Sequence, residues 1–309
     1  MSLGLQVYGP PGGSRRAVEE IVAAEAAGVR QVWMAQPPVG PDALGVLGAA
    51  ATRTTDVLLG TSVVPVFPRH PLVTASQALT VAELSEGRLR LGLGTSHREL
   101  VSGIHGLPFE RPQGYLREYV HIVRSMLTDG AVDFDGEHLA AHATAAPAVA
   151  PILVAALGEK GFRLAGEISD GAMPWLCPLP YLVDVAAPAL RSGAKAAGRR
   201  VPPLLAHVLI SSVRDRDTAR AAAVARMTPN AKMPFYAQML ARAGLPVDEP
   251  GGIDRAAEAL LVSGEPAEIA ERLQELLASG IDELLLSPVY TSDPEAEFKL
   301  ILAVVGGVS

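Results

Sequence analysis

Residues 265–287 read EPAEIAERLQELLASGIDELLLS. Ile269, Leu273, Leu276 and Leu277 recur at helical spacing across Glu265–Ser279, Gly280 supplies the stop, and Asp282–Ser287 is a short apolar run with the character of a buried strand. A helix that hands over within a few residues to a strand is half of a β-α repeat. The fold depends on how often that hand-over recurs.

It recurs along the whole chain. Leu3–Tyr8 is a strand, and Ser14 caps a helix that runs to Ala27 and ends at Gly28. Strand and helix then alternate: Gln31–Ala35 and Asp42–Arg53, Val57–Val64 and Pro71–Leu84, Arg88–Gly94 and Gly114–Leu127. After a change of composition come Ile152–Leu157 with a helix to about Ile168, Gly171–Leu176 with Pro180–Ala197, and Leu204–Ser212 with a helix from Asp217. The unit quoted above follows, and Glu295–Val304 closes the series as a final helix. Near-continuous apolar strands between helices indicate a parallel sheet covered on both faces. The expected fold is α/β, a (β/α)₈ TIM barrel forming one domain over residues 1–309, with insertions after strands 4 and 7. The first insertion, 128–151, contains a hairpin of Val132–Phe134 and His138–Ala140 around Asp135-Gly136. The second, 228–262, holds helices at Tyr236–Ala243 and Ile253–Leu261 and has the character of a lid. Periodicity does not show closure, so an open doubly wound sheet stays as the rival.

Composition removes several classes of function. The 309 residues are 49% hydrophobic and 19% charged, which supplies a large core and excludes intrinsic disorder. A net charge of −7 without a basic cluster argues against nucleic acid or an anionic membrane as the main partner. The first residues form a strand rather than a signal segment and no long apolar span follows, so a cytoplasmic protein without a membrane anchor is expected. The single cysteine, Cys177, excludes an intrachain disulfide and is expected to be a packed, inert thiol.

In a barrel the chemistry lies at the carboxyl ends of the strands. The stretches to inspect are therefore Gln36–Pro38, Ser62–Pro65, Gly94–Arg98, Leu157–Lys160, Pro174–Cys177 and Ser287–Tyr290. Gly92-Leu93-Gly94 lacks the third glycine of a dinucleotide fingerprint, His97 standing there, and is equally a sharp turn at a strand end. Leu157-Gly158-Glu159-Lys160 carries a strand into a helix, whose free N–H groups suit a phosphate; a plain connecting turn explains it as well. No nucleophile elbow surrounds Ser96, and no third ligand joins His138 and His142, so neither hydrolysis nor a metal site is expected. The four lysines, at 160, 195, 232 and 299, avoid the strands, against a Schiff-base aldolase, and the strand ends lack the paired carboxylates of a glycosidase. A mouth poor in ionisable groups suits a cofactor that carries the chemistry itself.

Five stretches together resemble one family: GTSVVPVFPRHP (60–71), QALTVAELSEGRLRLGLG (77–94), LREY (116–119), VAALGEKGFRLAGEISDG (154–171) and SGEPAEIAERLQELLASGIDELLLSP (263–288). They resemble the luciferase-like superfamily, and within it the deazaflavin-dependent reductases related to methylenetetrahydromethanopterin reductase. The resemblance implies an oxidoreductase that uses coenzyme F420, with FMN as the alternative cofactor, acts on a small organic molecule and forms a homodimer. It also implies a non-proline cis peptide at Ser62-Val63 backing the tricyclic ring, Gly94 and Arg98 near the ring and its side chain, and Leu157, Gly158 and Lys160 near the phosphate. The chain departs from the sugar-phosphate dehydrogenase branch. That branch has an Asp-His pair after the second-strand Trp, where Trp33 is here followed by Gln36-Pro37, and an acidic residue where Thr95 stands. Gln36 and His97 remain as the candidate catalytic groups, orienting a substrate or passing a proton. Two other functions stay open: an FMN-dependent monooxygenase in the same fold, and a deazaflavin- or flavin-binding protein without turnover.

Overall fold

A computed structural model of the chain describes residues 3–7 and 13–308. Its elements run β1 (Leu3–Val7), α1 (Gly13–Ala26), β2 (Gln31–Met34), α2 (Ala43–Ala51), β3 (Leu58–Thr61), β4 (Val64–Pro65), α3 (Pro71–Leu84), β5 (Leu89–Gly94), α4 (Arg98–Gly103) and α5 (Pro112–Thr128). A hairpin of β6 (Ala131–Asp135) and β7 (Ala140–Thr144) leads to β8 (Ile152–Ala155), α6 (Glu159–Ile168) and β9 (Gly171–Met173). A turn α7 (Leu179–Tyr181), a π-helical turn (Leu182–Ala186) and α8 (Ala187–Ala196) precede β10 (Leu205–Ser211) and α9 (Arg216–Ala231). The chain continues through α10 (Pro234–Arg242), α11 (Gly252–Leu260), β11 (Leu261–Ser263), α12 (Pro266–Ala278), β12 (Glu283–Pro288) and α13 (Pro294–Val308).

Apart from the β6-β7 hairpin, every strand pairing is parallel, in the order β11-β10-β12-β1-β2-β3-β5-β8-β9, with β4 beside β5. A parallel bridge between Ala172 of β9 and Leu204, just before β10, brings the two flanks together, so the sheet is curled. Inside the curl, Trp33, Leu153, Met173, Leu205 and Leu285 form a compact apolar layer. The indole of Trp33 fits only because its neighbours lack side chains: a Cβ on Gly60 would lie 2.1 Å from Trp33 Cε3, and one on Gly4 2.5 Å from Nε1. Outside, helices bury their apolar stripes on the strands.

Several boundaries differ from expectation. Ser14 lies within α1, which starts at Gly13, so it is not the cap; Tyr8 lies outside the described residues. The third strand is split into β3 and β4, and the strand after α6 stops at Met173 rather than Leu176, whose φ is +56°. The hairpin turn is longer than Asp135-Gly136. The Glu118 carboxylate accepts the N–H groups of Glu137, His138 and Leu139, holding them out of the ladder, so the second arm begins at Ala140. In the stretch expected as a helix over 180–197, Pro188 has no N–H to donate, and the chain widens into a π turn just before it. Helix α9 persists to Ala231 with Pro229 in its last turn, so the excursion starts after it, and β11, not expected, pairs with β10.

Candidate active site

At the carboxyl ends of the strands, Ser62 and Val63 interrupt the third strand, and the peptide between them is cis. The side chain of Val63 rests on the inner layer of Trp33, Leu153, Met173, Leu205 and Leu285, giving that end of the curl an apolar floor. A polar chain runs beside it: Ser287 donates to Gln6 Oε1 at 2.7 Å, and Gln6 Nε2 donates to Ser62 Oγ at 3.1 Å. These bonds link β12, β1 and the end of β3 across the mouth. Thr61 hydroxyl donates to the Gly92 carbonyl at 2.8 Å and accepts from Gly92 N–H at 2.8 Å, so β3 and β5 stay locked below the break.

Gly94 lies hard against this floor. A Cβ there would meet Val63 Cγ2 at 2.7 Å and Ala155 Cβ at 2.9 Å, so only glycine lets the ends of β4, β5 and β8 close up. Three residues on, His97 opens α4 without a side-chain cap, and its ring stands edge-on to Tyr236 of α10 with centroids 5.6 Å apart. Burial lowers the His97 pKa below the usual imidazole value, with Glu99 pulling it upward. The ring is therefore uncharged at neutral pH. Arg98 is exposed, with its guanidinium 5.2 Å over the Phe109 ring.

Gln36 is held by its own loop at both ends of its amide. Its Oε1 accepts from Ala43 N–H at 2.8 Å and its Nε2 donates to Pro37 O at 3.0 Å. Its backbone N–H donates to Val63 O at 3.4 Å, so it braces the break between β3 and β4. On the far side of Gly94, β8 leads through the half-buried Leu157 to α6. Its N-cap Gly158 has φ −93° and ψ 165°, no side chain caps the helix, and a Cβ on Gly158 would meet nothing within 4 Å. Lys160 is exposed in the first turn. The first N–H groups of α6 are thus available to an anion from outside the chain.

The structure brings Ser62, Val63 and Gly94 into contact, ties Gln36 to them, and sets His97 and the start of α6 on adjoining strand ends. Arg98 and Lys160 are exposed at its edge. Sequence reasoning missed Gln6 of β1, whose amide joins Ser287 to Ser62, and His207 of β10, whose Nδ1 lies 2.7 Å from the Pro174 carbonyl oxygen. Gln6 lies inside a strand, and strand interiors were read as core; the only available signal was a polar residue on the inward parity of β1 and β10. Cys177 is buried, as expected, and burial raises its pKa. His138 and His142 do not converge: His142 contacts Asp133 at 2.6 Å and Asp135 at 3.3 Å, while His138 packs near Tyr115. Among the described residues no cluster of three or more metal-type ligands occurs.

The sequence model of the luciferase-like monooxygenase family matches residues 4–283. The chain belongs to that family. Among curated relatives, the F420-dependent glucose-6-phosphate dehydrogenase of Nakamurella multipartita is 33% identical over 273 residues, covering 82% of this chain and 78% of its own. The 5,10-methylenetetrahydromethanopterin reductase of Archaeoglobus fulgidus is 28% identical over 311 residues, covering 90% and 91%. The solved coenzyme F420-dependent tetrahydromethanopterin reductase of Methanopyrus kandleri superposes with a TM-score of 0.82 at 24% identity, covering 99% of this chain and 97% of that one. The fold of that reductase is therefore shared along nearly the whole chain.

Proposed function

We infer that this luciferase-like chain is a coenzyme F420-dependent oxidoreductase acting on a small organic substrate. The observation that carries the reading is that an apolar floor at Val63 and an uncapped helix start at Gly158 share one end of the curled sheet. A flat apolar ring and a phosphate are the two features such a pair accommodates, and a relative that is 33% identical is F420-dependent. The residues present therefore fit the cofactor. Bound there, the coenzyme would supply hydride chemistry, its reduced form giving a hydride to an activated C=C, C=N or C=O bond and its oxidised form taking one from the reduced substrate.

The chain's own residues have separable tasks. Ser62, Val63 and Gly94 form the platform, Arg98 flanks it, and Leu157, Gly158 and Lys160 take the phosphate. Gln36 acts as a positioning residue, because both ends of its amide are spent on the loop that braces Val63. His97, neutral and facing Tyr236, can accept or return a proton at a ring nitrogen as the substrate carbon changes oxidation state. The segment 232–262, through α10, covers the mouth and excludes water. The Ala172–Leu204 bridge supports closure of eight strands into a (β/α)₈ barrel as one domain, with the β6-β7 hairpin and the 232–262 segment as excursions. A cytoplasmic homodimer completes the proposal; no helix among the described residues is long and apolar enough to cross a membrane.

The test is anaerobic mixing with the reduced deazaflavin and a panel of enones, imines and ketones. Reoxidation of the coenzyme by a member of the panel is expected. Oxygen uptake with reduced FMN and none of that reoxidation would move the reading to a monooxygenase, and tight binding without any turnover to a carrier.

A further inference from the structure

His207 lies in the middle of β10, two residues beyond Leu205, and its register partner is Leu285 of β12. Both leucines belong to the inner layer, so strand alternation turns His207 to the same inner face. Its Nδ1 is 2.7 Å from the Pro174 carbonyl oxygen, at the end of β9. A carbonyl only accepts, so Nδ1 carries the proton and Nε2 is left as a lone-pair acceptor. The residue is 8% exposed, yet no side-chain nitrogen or oxygen sealed from solvent lacks a partner among the described residues. With no hydrogen bond of its own, Nε2 is therefore not fully sealed from solvent. Beside it stands the half-buried Trp175, edge to face at 5.0 Å and 89°, with the Arg226 guanidinium 5.0 Å over the indole.

A clasp is the plain explanation of the Nδ1 bond, because β9 and β10 share only the Ala172–Leu204 bridge. The clasp occupies one ring nitrogen and leaves the other. We propose that His207 contacts the substrate, its Nε2 accepting a hydrogen bond from a hydroxyl or N–H of an uncharged organic molecule that lies against Trp175. This deepens the function proposed above and rests on the active site being at this mouth. Burial holds the His207 pKa down to about 4, so the acceptor is present at neutral pH. A cation would meet Arg226, and Nε2 calls for a molecule that brings a donor. The site thus favours neutral substrates that carry a donor.

Cyclohexanol and cyclohexanone share a ring, and only the alcohol carries a donor. In histidine-¹⁵N-labelled protein without cofactor, the alcohol should shift the His207 Nε2 resonance and the ketone should not. In the loaded enzyme, His207→Asn keeps an amide N–H at the Nδ1 position and removes the acceptor at Nε2. It should raise KM about tenfold for the alcohol and leave that for the ketone within about twofold, with His207→Gln recovering part of the loss. Equal shifts with both probes, no shift with either, or an Asn variant with wild-type KM for the alcohol would overturn the proposal. If the deazaflavin fails to bind, the function proposed above fails, and the NMR comparison on the wild-type protein still decides the role of His207.

Discussion

The two ends of the sheet's interior carry polar groups in opposite states. At the amino end, Arg90 donates to Glu283 through both terminal nitrogens, at 2.6 and 2.9 Å, and to Gln31 at 2.6 Å. Gln31 in turn donates to Glu283 at 2.9 Å, and the guanidinium lies 5.0 Å over Trp33. These charges are balanced within the chain. At the carboxyl end stand two imidazoles that burial keeps uncharged and an uncapped helix start. A saturated network holds strands together, whereas groups with spare capacity wait for a molecule from outside.

The contrast can be broken from either end. Glu283→Ala leaves Arg90 unpaired in a largely enclosed site, and should cost about 3–5 kcal/mol of stability in urea unfolding. Cofactor affinity of the folded fraction should be unchanged; a large loss of affinity would erase the division between the ends. The second largest effect belongs to the mouth. The His207 pKa is about 4 in the folded chain against 6.5 when unfolded. Above pH 6.5 both states are neutral and stability is full; between 6.5 and 4 only the unfolded chain takes the proton, so stability falls with pH. The total is about 3 kcal/mol, and His207→Asn should remove that slope. An unaltered slope in the variant would show that His207 is not the buried neutral group described.

Gly158→Asp should separate stability from binding. The backbone at Gly158 already has N-cap geometry and room for a side chain, so an aspartate would cap α6 and add a few tenths of a kcal/mol. The same carboxylate would occupy the N–H groups and repel a phosphate, weakening deazaflavin affinity by about ten- to a hundredfold, or 1.4–2.8 kcal/mol. A variant both stabler and tighter-binding would take the phosphate away from α6.

The alternation of strands and helices was legible because each element is written locally, in apolar period and stop residues; α3 begins and ends where its sequence says. What escaped the sequence was set by long-range partners. The hairpin turn was lengthened by Glu118, about twenty residues away, and β11 exists because β10 offers an edge beyond the Ala172–Leu204 bridge. Within the candidate site, the break at Ser62-Val63 came from family resemblance, not from periodicity. Gln36 was legible as a strand-end polar residue, but not the bonds to Pro37 and Ala43 that consume its amide. His207 was hidden because a polar residue in an apolar run looks like core until register shows which face it takes.

The most direct measurement is a crystal structure of the chain with the deazaflavin bound. The account predicts the tricyclic ring packed on Val63 and the phosphate held by the N–H groups at the start of α6. A ring bound elsewhere, or a phosphate remote from Gly158 with α6 still open to water, would contradict it.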